Sequence, residues 1–178
     1  MRGTLKIEFL FCLIATFVSG FFIFGASEAR AANVSSGADG NWSSPSTWAS
    51  TVRTGTITYV IDSPEIVGTG TAFLTELAVG GIITSASGRG NISVVVASIT
   101  DDTHLTVTTN AGLTSSGAKS FSSRNVPTAS DDVTIANGDA VVVDTDVSCA
   151  SLKFPTGNSA SSSLDINAGT LTVSGTVT

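Results

Sequence analysis

The sequence predicts an all-β protein: the start of a β-solenoid (parallel β-helix) with an inserted small antiparallel β-barrel, after an N-terminal signal peptide. Beyond residue 31, no stretch spaces its apolar residues as a helix would over three turns. Short β-branched runs bounded by Gly, Asn, Asp and Ser recur instead. These runs are longer in the middle of the chain and very short after Asp131, which indicates two kinds of β-structure.

The composition excludes several classes of protein. The chain has 178 residues, 12% of them charged, and a formal net charge of −6. Because about 25% charged residues is usual, a coiled coil and a charge-rich disordered tail are excluded, and the acidic balance repels nucleic acid. One His, one Tyr, and Cys149 as the single cysteine after residue 31 leave few side chains for an active site. We expect no enzyme and no nucleic-acid partner.

The first 31 residues are predicted to be a secretory signal peptide. Arg2 and Lys6 precede an apolar run over residues 9–26, and Ala29-Arg30-Ala31 follows as a small-x-small cleavage pattern. The prediction places the remaining chain outside the cell, secreted or on the cell surface. The alternative is an uncleaved anchor, since about 18 apolar residues can cross the bilayer. Contact with a membrane is expected only through this segment.

Residues 54–123 are predicted to form the inserted barrel. Gly and Asp residues between the later runs supply the positive φ angles and local hydrogen bonds that tight turns need. The predicted strands are Thr56 to Ile61, Gly81 to Ser85, Ile92 to Ile99 and His104 to Thr109.

Very short apolar pairs after Asp131 predict the solenoid. Two inward residues on a three-residue strand suit a stacked coil, whereas strands of a sandwich usually run about five or six residues. About three or more repeats are needed for a continuous core, so we expect a fragment of a longer chain. The pairs are Val133/Ile135, Val141/Val143, Leu152/Phe154, Leu164/Ile166 and Leu171/Val173.

Two stretches resemble a known module. "GNWSSPSTW" (Gly40 to Trp48) and "NVPTASDDVTIANG" (Asn125 to Gly138) are similar to the glycine-rich domain named for its eight glycines, found at the start of parallel β-helices in bacterial surface proteins. The resemblance implies a β-helix entry module made of residues 32–53 and 124–178. Here about 70 residues separate the two halves, which the module usually joins directly.

The intervening residues resemble a second module. "VGTGTAFLTELAVGG" (Val67 to Gly81) and "VVVASITDDTHLTVTT" (Val94 to Thr109) are similar to a small β-barrel of phage tail and bacterial surface proteins. Gly81 stands where that module often has Asp. The resemblance implies a barrel inserted in a loop of the β-helix, which is tolerated where chain ends meet at a surface.

Two tryptophans form one candidate site. Trp42 and Trp48 lie six residues apart beside Pro45. Exposed rings at this spacing could stack on sugar rings and bind a glycan. Alternatively, the rings cap the core, because the terminal coils of a repeat structure need capping.

Four aspartates form a second candidate site. Asp131, Asp132, Asp144 and Asp146 cluster in sequence, and Ca²⁺ takes about six to eight oxygen ligands. They are candidate metal ligands, with Ca²⁺ the candidate cofactor. The pattern matches neither an EF-hand nor a nonapeptide calcium repeat, and Asp is also a favoured turn residue. A structural role in turns is the alternative.

The functional hypothesis is a non-enzymatic structural or adhesive region of an exported bacterial surface protein. Its expected partners are an extracellular glycan or a surface protein. Two alternatives remain open: a carbohydrate-binding module, and the non-catalytic leader of a β-helical polysaccharide-degrading enzyme. Such an enzyme would need paired acids with basic partners, and Lys153 is the only basic residue after Arg124.

Overall fold

A computed structural model describes residues 32–86, 90–155 and 161–178. The predicted signal peptide, residues 1–31, lies outside the described residues. The described chain is predominantly β, as predicted. In chain order the strands are β1 (Asn33–Ser35), β2 (Gly40–Asn41), β3 (Thr51–Val52), β4 (Thr56–Tyr59), β5 (Glu65–Thr69), β6 (Ile82–Ala86), β7 (Asn91–Ile99), β8 (His104–Val107), β9 (Phe121–Arg124), β10 (Asp132–Thr134), β11 (Ala140–Val143), β12 (Val147–Cys149), β13 (Ser151–Lys153), β14 (Ser163–Ile166) and β15 (Leu171–Val173).

Helical structure is limited to two short turns in the described residues. A 3₁₀ turn, η1, spans Pro45–Thr47, and one turn of α-helix, α1, spans Phe73–Glu76. Among the residues that the structure describes, no helix has the length and apolar character required to cross a bilayer.

Eight strands pair in parallel and form three small sheets, which we call the parallel stack. The strand orders are β1-β10-β13, β2-β11-β14 and β12-β15. Their register aligns apolar residues from one strand to the next: Val34 lies opposite Val133, and Val133 opposite Leu152. Side chains of alternate residues point to the same face, so each aligned row contributes to a shared interior.

The prediction of a β-solenoid is wrong for the described residues. The sheets do not make a parallel β-helix solenoid: parallel pairing is confined to three separate sheets of two or three strands, and the largest sheet is antiparallel. The physical reason is that nearly half of the described chain folds through hairpins between neighbouring strands, which pair antiparallel.

The other seven strands form one antiparallel sheet in the order β3-β9-β6-β7-β8-β5-β4. A further bridge joins Ile57 of β4 to Lys119, just before β9, with N–H···O distances of 2.8 and 2.9 Å. This bridge connects the two sides of the sheet, so we call it the closed sheet. A register shift between Val96 and Ser98 bends β7 where it pairs with β8, as a β-bulge does.

Each part has its own core. Apolar side chains of the closed sheet form one cluster, in which Phe73 and Phe121 meet edge to face with ring centroids 5.9 Å apart. The cluster of the parallel stack contains none of these residues and is built around Trp42, Trp48 and the valines of β10 and β11. The two clusters therefore divide the described chain into a stack made from both of its ends and a closed sheet made from its middle.

The junction between the two parts is a two-stranded ribbon. The first strand of the closed sheet in chain order, β3, pairs antiparallel with its last strand in chain order, β9. Arg53 donates its backbone N–H to the carbonyl of Phe121 (3.0 Å) and its Nε–H to Ser123 Oγ (2.7 Å). The chain thus leaves the stack and returns to it at neighbouring points.

Candidate functional site

The loop that follows β2 folds the two tryptophans together. Gly40 has φ of +154°, and a Cβ there would approach Thr47 Oγ1 to 2.5 Å, so a larger residue would push the loop away. Thr47 Oγ1 donates to the carbonyl of Asn41 (2.8 Å), and η1 reverses the chain. The backbone of Ala49 then donates to the carbonyl of Ser35 (2.8 Å), which covers the outer edge of β1.

Both tryptophan rings lie in the core of the parallel stack. Trp42 and Trp48 are 0% and 1% exposed. Their rings meet edge to face with centroids 5.0 Å apart, and Trp48 Nε1 donates to the carbonyl of Trp42 (2.9 Å). Stacking on a sugar needs an open ring face, which neither residue offers. Of the two roles considered for the pair, the geometry favours the core cap.

The four candidate aspartates do not converge. Asp144 accepts hydrogen bonds from Ser43 N–H (3.1 Å) and Ser43 Oγ (2.6 Å), and Asp146 accepts one from the backbone of Thr170 (2.8 Å). These bonds link neighbouring strands of the stack. The Ser43 hydroxyl, followed by the Ser43 N–H, lowers the pKa of the Asp144 carboxyl.

The other two candidates are also held by polar groups of the chain. Asp131, which is buried, accepts from the backbone of Ala32 (2.9 Å) and from the N–H (2.7 Å) and hydroxyl (2.8 Å) of Thr128. Asp132 accepts from the Ser151 hydroxyl. Among the described residues, no group of three or more His, Cys, Asp or Glu side chains could hold a metal ion together. Each of the four carboxylates is hydrogen-bonded to turn or strand groups of the chain.

The single histidine, His104, is the first residue of β8, directly after the hairpin turn that follows β7. Asp101 accepts from the N–H (2.7 Å) and hydroxyl (2.8 Å) of Thr103 and from the backbone of His104 (2.8 Å). The Thr103 hydroxyl, then the Thr103 N–H and the His104 side chain, lower the pKa of Asp101 to about 2. Both Thr103 Oγ1 and Asp101 Oδ1 approach the same ring nitrogen, Nδ1 of His104, at 3.0 Å. A proton relay uses a different partner on each of the two ring nitrogens. The hydrogen bonds among Asp101, Thr103 and His104 instead stabilise the turn.

Cys149 is buried in the interior of the stack. Burial, followed by the charges of Asp132 and Asp131, raises the pKa of its thiol. A thiol with a raised pKa is a poor nucleophile, so this cysteine contributes packing.

A cleft of about 290 Å³ separates the parallel stack from the closed sheet. Its walls include Val34 and Ala49 on one side and Glu76 and Leu77 on the other, with Arg53 between them. Burial lowers the pKa of the Arg53 guanidinium, and the charge of Glu76 opposes that effect. Glu76 accepts from the N–H (2.9 Å) and hydroxyl (2.6 Å) of Thr54, so its carboxylate fastens the start of the closed sheet.

A second depression lies on the closed sheet itself. It is an open groove of about 450 Å³ between strands β3, β9, β6 and β7, and most of its lining residues are polar. Thr84, Ser93 and Ser122 occupy paired positions on adjacent strands there, so their hydroxyl groups can form one row across the groove.

Comparison with protein-family models, with curated proteins and with solved structures finds no match for this chain.

Two further acids of the stack lie outside the four candidates: Asp139, which belongs to the same run of aspartates in the sequence, and Asp39, which sequence reasoning missed. Asp39 accepts from the backbone of Ala140 (2.7 Å), and Asp139 accepts from the Ser36 hydroxyl (2.6 Å). Each joins residues about a hundred positions apart. The available signal was the repeated occurrence of Asp beside very short strands, together with the abundance of Ser and Thr that could pair with it.

Proposed function

We propose that the chain is a non-enzymatic structural and adhesive part of an exported bacterial surface protein. The observation that supports this most is that the side chains with potential for binding or catalysis pack in a core or hydrogen-bond within the chain. The tryptophans fill a core, the aspartates of the stack bind Ser, Thr or backbone groups, and the cysteine is buried. These side chains stabilise the fold and are not left free for catalysis, which suits a protein with a structural role.

The N-terminal sequence supports export. The basic start, the apolar run over residues 9–26 and Ala29-Arg30-Ala31 together fit a signal peptide. Cys149 has no cysteine partner in the remaining chain, so the fold suits an oxidising compartment without depending on a disulfide. The likeness of residues 40–48 and 125–138 to β-helix entry modules, and of residues 67–81 and 94–109 to small surface barrels, supports the same assignment.

Export is tested by expressing the full chain in a bacterial host and measuring the intact mass of the exported protein. The proposal expects a mature chain that begins at Ala32. A matched variant, Ala29→Asp with Ala31→Asp, should block cleavage and keep the chain with the membrane fraction. Retention of the unaltered chain inside the cell would overturn the proposal of export.

The adhesive role needs its own measurement. Beads coated with residues 32–178 are tested for attachment to a glycan array and to bacterial cells, with heat-unfolded protein as the control. Because neither tryptophan is open to solvent, glycan capture would involve another surface, and the hydroxyl-lined groove of the closed sheet is the first one to mutate. Thr84→Val and Ser122→Ala would then abolish capture. Degradation of a polysaccharide by the same protein would contradict a non-enzymatic role.

A further inference from the structure

The carboxylate of Asp131 is fixed by the turn in which it lies. Asp131 is 6% exposed, and its backbone N–H donates to the carbonyl of Thr128 (3.1 Å). Within this turn, Asp131 Oδ2 accepts from both the N–H (2.7 Å) and the hydroxyl (2.8 Å) of Thr128. The other oxygen, Oδ1, accepts from the backbone N–H of Ala32 (2.9 Å). The turn thus holds one oxygen in place for one donor, the nitrogen of Ala32.

Ala32 is positioned from both sides of its backbone. Its carbonyl accepts from the N–H of Asp132 (2.9 Å), and the parallel pairing of β1 with β10 aligns Asn33 with Asp132. In the same register, Ala32 lies opposite Asp131. A slip by one residue would turn every side chain of β1 to the other face, so the register selects the nitrogen of Ala32 and no other.

The buried carboxylate of Asp131 has no cationic partner among the described residues. Ion pairing in that part of the chain is confined to His104 and Asp101 in the closed sheet, although Arg53 lines the same cleft as Asp131. A buried carboxylate without a cation is costly, because nothing offsets the loss of its hydration. A positive charge on the nitrogen of Ala32 would supply the missing partner.

We infer that Asp131 is the binding site for the α-ammonium group that signal-peptide cleavage creates at Ala32. Its formation rests on the export and cleavage proposed above. Hydrolysis adds one water across the peptide bond between Ala31 and Ala32. The oxygen stays on Ala31 as a carboxylate, and both protons end on the nitrogen of Ala32, which is an ammonium at neutral pH. A nitrogen that carried one neutral N–H in the uncut chain then carries a positive charge and three N–H groups.

The site has space for an ammonium as well as the charge to bind it. Ala32 is exposed, and it lines the cleft between the parallel stack and the closed sheet together with Asp131. One N–H meets Asp131 Oδ1, and the other two are left for water in the cleft. The ammonium adds Coulombic attraction to a hydrogen bond that the amide makes without a charge. The stack therefore gains stability at cleavage, which suits a chain that must cross a membrane before it folds fully.

The neighbouring charges determine the direction of the α-amino pKa. Asp131 and Asp132 lie beside the nitrogen at the start of β10, and Arg53 and Glu76 line the same cleft. Three carboxylates and one guanidinium together favour the ammonium, so its pKa is raised above the ordinary value of about 7.7–8.0. The resulting stability is fully present below about pH 8 and is lost as the pH rises through the folded-state pKa.

The test compares two forms of residues 32–178, both released from a fusion protein by a site-specific protease. One form begins at Ala32, and the other keeps Gly-Ser-Gly-Ser before Ala32, so that its nitrogen stays a neutral amide. Each form is made with Asp131→Asn and, as the matched control, with Asp132→Asn. Both substitutions remove one negative charge, at adjacent positions, and Asp132 is exposed. Denaturant titration at about pH 6.5, where the amine is protonated, measures the unfolding equilibrium constant.

The free amine is expected to lower the unfolding equilibrium constant by about tenfold or more relative to the extended form. The same difference should remain in Asp132→Asn and fall to within about twofold in Asp131→Asn. Equal stability of the two unaltered forms, or an equal difference in both variants, overturns the inference.

NMR titration of the α-amino group of Ala32 in the unaltered protein is a second arm that does not depend on the folding of a variant. A pKa at least about one pH unit above the ordinary 7.7–8.0 is expected, and an ordinary value overturns the inference. The intact mass of the exported protein is a separate measurement, so cleavage and ammonium binding can each fail alone.

Discussion

The parallel stack and the closed sheet handle their strand edges in opposite ways. The closed sheet joins β4 back to Lys119, so its core is surrounded by its own residues. The stack covers one end with tryptophans and leaves inward residues such as Ile166 exposed at the other. Closure by hairpins surrounds the core with neighbouring sequence, whereas a small parallel sheet that does not close keeps two edge strands.

The largest expected effect is a loss of stability in the core of the parallel stack that leaves the core of the closed sheet unchanged. Replacing Trp48 by alanine removes a buried ring from the stack, and we expect the free energy of unfolding to fall by about 3–5 kcal/mol. Denaturant titration measures this change, while NMR follows the resonances of the closed sheet, which should hardly move. Val52→Ala is the control, since Val52 is 74% exposed and should change stability by less than about 0.5 kcal/mol. A loss below about 1 kcal/mol for Trp48→Ala would contradict its role as the cap.

The second prediction tests whether the closed sheet is independent. Residues 54–123 expressed alone should give a β-type circular dichroism spectrum and a cooperative melt, because their apolar cluster lies wholly within that segment. A domain of this size has a stability of only a few kcal/mol, so a low melting temperature is expected. The complementary protein, with Arg53 joined to Arg124 by a short Gly-Ser link, should keep the stack. An unfolded fragment together with an aggregating host would show one continuous domain.

A glycine pair tests the start of the closed sheet. Gly55 has φ of +77°, and a Cβ there would lie 2.5 Å from the carbonyl oxygens of Thr69 and Gly70. Gly55→Ala should therefore cost about 2–3 kcal/mol, from backbone strain together with the displacement of β5. Gly70→Ala is the matched control, because Gly70 also has positive φ (+64°) and has open space at its Cβ position. Equal melting temperatures for the two variants would rule out the steric explanation.

The smallest effects concern two exposed carboxylates, one in each part. The pKa of Asp101 in the closed sheet is lowered to about 2, and that of Asp144 in the stack is also lowered. A carboxyl whose folded pKa lies below its unfolded value of about 3.9 stabilises the fold above that pH and loses the contribution as the pH falls through the folded pKa. For Asp101 the loss falls between about pH 4 and pH 2.

Carboxyl-carbon NMR titration separates the two carboxylates. Ser43→Ala should raise the pKa of Asp144 toward its usual range and leave Asp101 at about 2. Thr103→Val should do the reverse, because the Thr103 hydroxyl is the main cause of the shift at Asp101. If Asp144 in the unaltered protein titrates at the ordinary value, the bond from Ser43 does not persist in solution.

Patterns within single strands were predictable from the sequence. Val133, Val141 and Val143 point inward as their spacing predicts, and β7 and β8 fall close to the predicted limits. Register was harder where two apolar residues are adjacent: in the predicted strand Gly81 to Ser85 the sequence pattern predicts Ile82 in the core, but Ile83 is the buried one. A two-residue period cannot choose between neighbours of equal hydrophobicity, and the choice depends on the partner strands.

Contacts between distant residues were not predictable. Whether Trp42 meets solvent or core depends on β11, about a hundred residues later, because Trp42 N–H donates to the carbonyl of Val142 (2.7 Å). Asp131, Asp132, Asp144 and Asp146 are close in sequence, yet each finds a partner on a different neighbouring segment. Sequence proximity indicated a cluster, whereas the fold distributes these carboxylates along the stack.

The ribbon of β3 and β9 also determines how the molecule would respond to tension. A pull between residues 32 and 178 is first resisted by the stack, because β1 is bonded directly to β10, beyond the inserted segment. Only when this pairing and that of β2 with β11 break does force reach Thr51 and Ser123, which separate as an antiparallel pair opens from its end. Residues 54–123 then act as stored length, releasing up to about 3.3–3.6 Å per residue. A protein built this way can lengthen under tension before its backbone is fully stretched.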